Sequence, residues 1–149
     1  MNPVHFSSKT DLWSTPQAFF DKLNAEFNFT LDVCATPENA KCPAFYTSAQ
    51  DGLQQNWFND ALNESYESVV FMNPPYGRNI GSWCKKARIE QKKGTTVVAL
   101  LPARTDTAWF QDFVLPYAEL RWVRGRLKFG NSKNSAPFPS VVAIYRGAK

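Results

Sequence analysis

The sequence has a single histidine, His5, and three cysteines, Cys34, Cys42 and Cys84, none of them in a C-x-x-C pair. That scarcity argues against a Cys/His zinc site and against a disulfide framework, so no metal is expected and the thiols are expected to be free. No apolar run approaches the length of a membrane span, and the first ten residues, MNPVHFSSKT, hold no apolar stretch of signal-peptide length. A cytoplasmic protein with no membrane partner is the expectation. Repeats, low-complexity tracts and linkers are also missing. What remains is 149 residues, 44% hydrophobic and 15% aromatic, enough for one domain, 1–149, with a real core.

Charge is present but unevenly spread. Residues 1–77 carry 3 basic and 9 acidic side chains, a balance of −6; residues 78–149 carry 14 basic and 4 acidic, a balance of +10. A solvated basic face would produce this split, and so would a polyanion gripped by the second half. The densest cluster is Arg124, Arg126, Lys128 and Lys133, a candidate DNA-phosphate contact.

Hydrophobic periodicity gives the organisation. Thr15 and Pro16 have the form of a helix N-cap followed by proline at the first helical position, and Phe19, Phe20, Leu23 and Phe27 supply a buried face. Phe29 to Cys34 reads as a short strand, and 35–66 as loops with at most short helical turns. Val69 to Met72 is a second strand. A helix follows with Ile80, Trp83, Cys84 and Ala87 on one face, closed by Gly94. Thr95 to Leu101, apolar without alternation, is expected to be a central parallel strand. Trp109, Phe110, Phe113 and Val114 mark another helix. The tail reads as three antiparallel strands: 120–123, 126–129 and 141–145. The expected class is α/β: an abbreviated, doubly wound, mostly parallel sheet with an antiparallel C-terminal edge.

The most informative feature is Asn73-Pro74-Pro75-Tyr76, set directly after the second strand. With proline at ~5% of residues, such a tetrapeptide arises by chance in roughly one chain in a few thousand of this length. In open α/β sheets, ligands lie beyond the carboxyl ends of strands, where this segment falls. Two prolines stiffen the turn and donate no hydrogen bonds, leaving the Asn73 side-chain carbonyl and the Pro74 backbone carbonyl to face a common point. Tyr76 adds a flat ring. The exocyclic amine of a base needs such a site, because its lone pair is delocalised into the ring. Two acceptors on its two N–H bonds favour a pyramidal nitrogen, and the aromatic ring can stack on a base flipped from the duplex. A sulfonium methyl donor is already activated, so no metal or covalent intermediate is required. Asp32, ending the first strand, is either a turn-former or the partner of the cofactor's ammonium. Asp51 is either an exposed turn residue or a contact to the cofactor ribose. Arg104 either holds a phosphate or pairs with Asp106, and Phe138 either packs on the flipped base or belongs to the core.

The segments D-L-W-S-T-P (11–16), L-D-V-C-A (31–35), F-M-N-P-P-Y (71–76), L-L-P-A-R-T-D-T-A-W-F (100–110), G-R-L-K-F (125–129) and A-P-F-P-S (136–140) resemble, in order, the small phage-type Dam family of DNA N6-adenine methyltransferases. The resemblance implies S-adenosyl-L-methionine as cofactor and DNA as partner. It sets Trp13, Thr15, Pro16 and Asp32 at the cofactor pocket and Asn73 to Tyr76 at the target amine. The glycine-rich turn common after the first strand of methyltransferases is missing, which implies an abbreviated pocket. A protein glutamine N5-methyltransferase, a cytosine N4-methyltransferase and a non-catalytic DNA-binding module are the competing possibilities. Sequence readout is left to loops such as 124–138 or to a second subunit.

The charge split generates a first prediction. Replacing Arg124, Arg126 and Lys128 together with Gln should weaken DNA binding similarly across sequences. Each lost phosphate contact should flatten the logarithmic salt dependence by about 0.9. A salt titration of binding in which the slope is unchanged would identify the cluster as a solvated face only.

Overall fold

A computed structural model describes residues 13–130 and 133–148. His5, the leading D-L of the D-L-W-S-T-P segment and residues 131–132 of the C-terminal loop lie outside that range. Among the described residues ten elements follow one another: α1 (Gln17–Phe27), β1 (Leu31–Asp32), a 3-10 turn (Gly52–Gln54), α2 (Trp57–Asp60), β2 (Val69–Met72), α3 (Ile80–Lys93), β3 (Thr96–Pro102), α4 (Ala108–Phe113), β4 (Glu119–Trp122) and β5 (Ser140–Tyr145). The strands form one sheet in the order β1-β2-β3-β5-β4. β1, β2 and β3 run parallel, and β5 pairs antiparallel with both β3 and β4. The α/β class and the antiparallel edge therefore match expectation. The expected mostly parallel sheet is corrected to an even split: two of the four strand pairings are parallel and two are antiparallel, and the antiparallel ones are together the longer.

β3 and β5 are the centre of the core. Val97 to Pro102 and Ser140 to Tyr145 are all buried, consistent with strands covered on both faces. α3 connects β2 to β3 and ends, as its sequence suggests, at Gly94, whose φ of 113° suits a residue without Cβ. Its buried Glu90 accepts hydrogen bonds from the Phe58 N–H at 2.9 Å, Lys86 Nζ at 2.8 Å and Lys93 Nζ at 2.9 Å, tying α2 to α3. Burial would raise this carboxyl, but the three donors outweigh it and hold it below the usual value. No helix among the described residues is long and apolar enough to cross a membrane.

Three expectations are corrected. Thr15 does not cap α1: the helix opens after Pro16 with no side-chain cap, because the Thr15 hydroxyl is bonded to Asn73 instead. The strand expected over 29–34 narrows to Leu31–Asp32. It is flanked on its far side by an isolated parallel bridge between Asp32 and Phe45, a pairing that the irregular 35–66 stretch does not advertise. Residues 126–129 alternate as a strand would, with Leu127 and Phe129 turned inward, yet they join no ladder. Their backbone bonds run locally, Ala136 N–H to the Leu127 carbonyl at 2.8 Å, and onward from Gly130 N–H to the Ser14 carbonyl at 2.8 Å.

The topology determines what gathers at one end of the sheet. β1, β2 and β3 all finish there, at Asp32, Met72 and Pro102. Because β5 is antiparallel, Ser140 sits opposite Pro102, and Trp122 of β4 lies opposite Val141. Both ends of the 123–139 loop are thereby brought to the edge that carries Asn73.

Candidate active site

Asn73 follows the last residue of β2, and Pro74 and Pro75 prevent the strand from continuing. The Pro75 carbonyl accepts from Gly77 N–H at 3.1 Å, closing the turn that leads to α3. The Asn73 amide is half-buried, and its two ends differ. Nδ2 donates to the Trp13 backbone carbonyl and to Thr15 Oγ1, the latter at 2.9 Å. Oδ1 is buried with no hydrogen-bond partner among the described residues. Leaving a buried acceptor unpaired costs about 1–3 kcal/mol, so such an atom marks a place where a donor is missing.

Tyr76 is buried, and its hydroxyl donates to the Leu100 carbonyl at 2.8 Å. Its ring meets Phe138 edge-on at 5.5 Å and Phe129 at 6.1 Å, and Trp13 meets the same two rings at 5.2 and 5.5 Å. Four aromatic side chains from three separate segments, Tyr76 of the tetrapeptide among them, thus pack into one cluster. The Arg104 guanidinium lies 5.9 Å from the centre of the Phe138 ring. It makes no ion pair with Asp106, so the structural pairing considered for those two residues is not formed.

Three cavities are each lined in part by the Asn73 to Tyr76 segment. A cleft of about 360 Å³ reaches from Asn73 and Pro75 past Cys34 and Asn39 to Asp51 and Trp83. A smaller hollow of about 40 Å³ joins Asn73 and Pro74 to Trp13, Thr15 and Asp32. A third, of about 120 Å³, lies between Tyr76, Arg104 and Trp109. Pro16 lines none of these. Asp51 is exposed and left-handed, with φ 53°, and its side chain accepts from Leu53 N–H at 3.2 Å. It is therefore a turn-former that also lines the large cleft. Arg124, Arg126, Lys128 and Lys133 are exposed on the 123–139 loop. Along it, Arg126 and Lys128 face outward while Phe129 and Phe138 are buried in the aromatic cluster.

Asp32 is only 2% exposed. Oδ1 accepts from Cys34 N–H at 3.2 Å and Oδ2 from Lys41 N–H at 3.0 Å. Burial pushes its carboxyl up to about 6, against the opposing pull of those two donors and of the Lys41 charge.

Several participants are invisible to periodicity. Lys41 and Asn39 come from the irregular 35–66 stretch, where Asn39 Nδ2 donates to Ser14 Oγ at 3.2 Å. Gly52 gives no local hint of its role, yet a Cβ there would lie 2.6 Å from the Val33 carbonyl oxygen and 2.9 Å from the Trp83 ring. Trp83 reads as one more apolar residue of α3, although it walls the cleft. Phe129 shares a segment with the basic cluster, and nothing in its spacing sets it apart as a member of the aromatic cluster.

A family model described as DNA N-6-adenine-methyltransferase (Dam) matches residues 5–146. A protein of Escherichia phage T1 named DNA N-6-adenine-methyltransferase is 32% identical over 118 residues, which are 78% of this chain and 46% of that protein. One of the same name from Haemophilus phage HP1 is 30% identical over 129 residues, 85% of this chain and 70% of its own length. The putative methyltransferase YfdM of Escherichia coli K12 is 39% identical over 67 residues, 44% of this chain and 71% of the relative. The match thus spans about half the length of the phage T1 protein.

The Asp32 environment generates a prediction about the free protein. A carboxyl raised from its ordinary 3.8 to about 6 binds its proton more tightly when folded. Its contribution to stability is therefore fully present below pH 3.8 and is lost as pH rises through about 6. Relative to Asp32→Asn, the wild type should gain about 1 kcal/mol as pH falls from about 7.5 to about 5. Paired urea titrations of both proteins measure this, and a difference that does not change with pH would contradict the burial argument.

Proposed function

Because this chain belongs to the Dam family of DNA N-6-adenine-methyltransferases, we propose that it methylates the N6 amino group of adenine in DNA, with S-adenosyl-L-methionine as donor. The observation that carries the proposal is the orientation of Asn73. With both N–H bonds of Nδ2 committed to Trp13 and Thr15, the side chain can offer an incoming group only its acceptor, Oδ1. The complementary group is an N–H donor, and the amine of adenine is one.

The large cleft suits the cofactor. Its volume, about 360 Å³, is of the size that small-molecule sites use, and it opens onto Asn73 and Pro75. Asp51 at its far wall would accept from ribose hydroxyls. Asp32, in the adjoining hollow, would hold the ammonium of the methionine part, a cation that repays the burial of its carboxylate. The cofactor supplies a methyl group already activated on a sulfonium. Asn73 Oδ1 and the Pro74 carbonyl would bind the amine's two N–H bonds and direct its lone pair. The Trp13, Tyr76, Phe129 and Phe138 cluster would exclude water and receive the flipped base, with Tyr76 and Phe138 as the stacking surfaces. Arg104 and the basic residues of the 123–139 loop would hold the phosphates on either side. The whole forms an abbreviated methyltransferase sheet in which the loop between β4 and β5 serves the DNA and the loops after β1 serve the cofactor.

The test is Asn73→Ala. Losing one oriented acceptor in a closed site should cost ~3 kcal/mol of transition-state stabilisation, hence ~100-fold or more in turnover. Cofactor affinity, read by calorimetry, should stay within a few-fold. Near-normal turnover by the folded variant would remove Asn73 from the target amine.

A further inference from the structure

Resting on the proposed function, we infer that Thr15 is a positioning residue: its hydroxyl aligns the Asn73 amide for transfer and does not serve the cofactor. A primary amide is nearly the same shape at its two ends, so nothing in its packing alone decides whether oxygen or NH₂ faces the cavity. Hydrogen bonding decides it. The Trp13 carbonyl is acceptor-only, and Thr15 Oγ1 receives the second N–H at 2.9 Å across 58 residues of sequence. With both acceptors in place, Oδ1 is the end left without a partner. If the amide turned over, Nδ2 would meet the N–H of the incoming amine donor to donor, and Oδ1 would meet the Trp13 carbonyl acceptor to acceptor.

Thr15 is well placed to hold this setting. It is 4% exposed, and its β-branched side chain has few rotamers to choose from. The backbone around it is fixed from both sides. The Ser14 carbonyl accepts from Gly130 N–H at 2.8 Å, Ser14 Oγ accepts from Asn39 Nδ2 at 3.2 Å, and Trp13 is wedged against Phe129 and Phe138. The hydroxyl is therefore a fixed point delivered by a braced strap. Of the two anchors it is the one that a side-chain substitution can remove.

The experiment compares Thr15→Val, which keeps the shape and loses the acceptor, with Thr15→Ser, which keeps the hydroxyl. Adenine methylation by Thr15→Val should fall about ten- to a hundredfold in kcat, the scale of a misaligned reacting group. The cofactor dissociation constant and the KM for DNA should stay within about threefold. Thr15→Ser should restore most of the rate. Adding Thr15→Val to Asn73→Ala should slow that variant no further, since the two act through one contact. If Thr15→Val fails to fold, Thr15→Ala against Thr15→Ser isolates the hydroxyl in the same way. A kcat within twofold of wild type for the acceptor-less variant overturns the inference. So does a serine variant as slow as the valine one, or a cofactor affinity that falls in step with kcat, which would make Thr15 part of the cofactor wall. These outcomes leave the proposed function standing if wild type methylates adenine and Asn73→Ala does not. A wild-type protein that forms no methyladenine ends both.

Discussion

The two N–H bonds of the Asn73 side chain are committed before any substrate arrives, and that commitment organises the site. They reach back to the Trp13 carbonyl and the Thr15 hydroxyl, so the segment ahead of α1 is held against the carboxyl end of β2. Through Ser14 the same segment is bonded to Gly130 on one side and to Asn39 on the other. The loop that carries the basic cluster and the loop that lines the large cleft are thus fastened to one short strap. What this arrangement leaves over is a buried acceptor, Oδ1, without a partner on a residue that lines two adjoining cavities.

A second constraint is electrostatic. Asp32 is ionisable and almost wholly buried, an expensive combination unless a cation completes it. Two backbone N–H groups partly compensate, but its carboxyl remains well above its ordinary value. Together with the unpaired Asn73 Oδ1, it makes this region less stable than an apolar or fully bonded one would be. Such unfinished polarity is expected where stability yields to binding and chemistry. The two defects lie in the same hollow and ask for different complements. Buried Asp32 favours a positive charge, and Asn73 Oδ1 a hydrogen-bond donor.

How much of this the sequence disclosed follows from what leaves a periodic trace. β2, α3 and β3 were legible because their apolar residues recur at the spacing of their own element, and the N-P-P-Y turn because proline acts locally. The 126–129 segment was misread as a strand because alternation reports only which side chains turn inward. There, Phe129 packs against the Trp13 ring and the segment joins no sheet. Thr15 was misread because a threonine before proline looks the same whether its hydroxyl caps the next helix or bonds a residue 58 positions away. Asp32 was located as a candidate, but its donor Lys41 acts through a backbone N–H, which has no side-chain signature. Gly52 matters through the absence of an atom, visible only once Val33 and Trp83 are seen beside it.

The central claim is that the Asn73 acceptor is set for the exocyclic amine of adenine in DNA. The most direct measurement is incubation of the protein with isotopically labelled S-adenosyl-L-methionine and unmethylated DNA, followed by digestion and mass spectrometry of the nucleosides. The account predicts label in N6-methyladenine. Label in N4-methylcytosine, or no labelled nucleoside from a folded protein that binds both the cofactor and DNA, would contradict it.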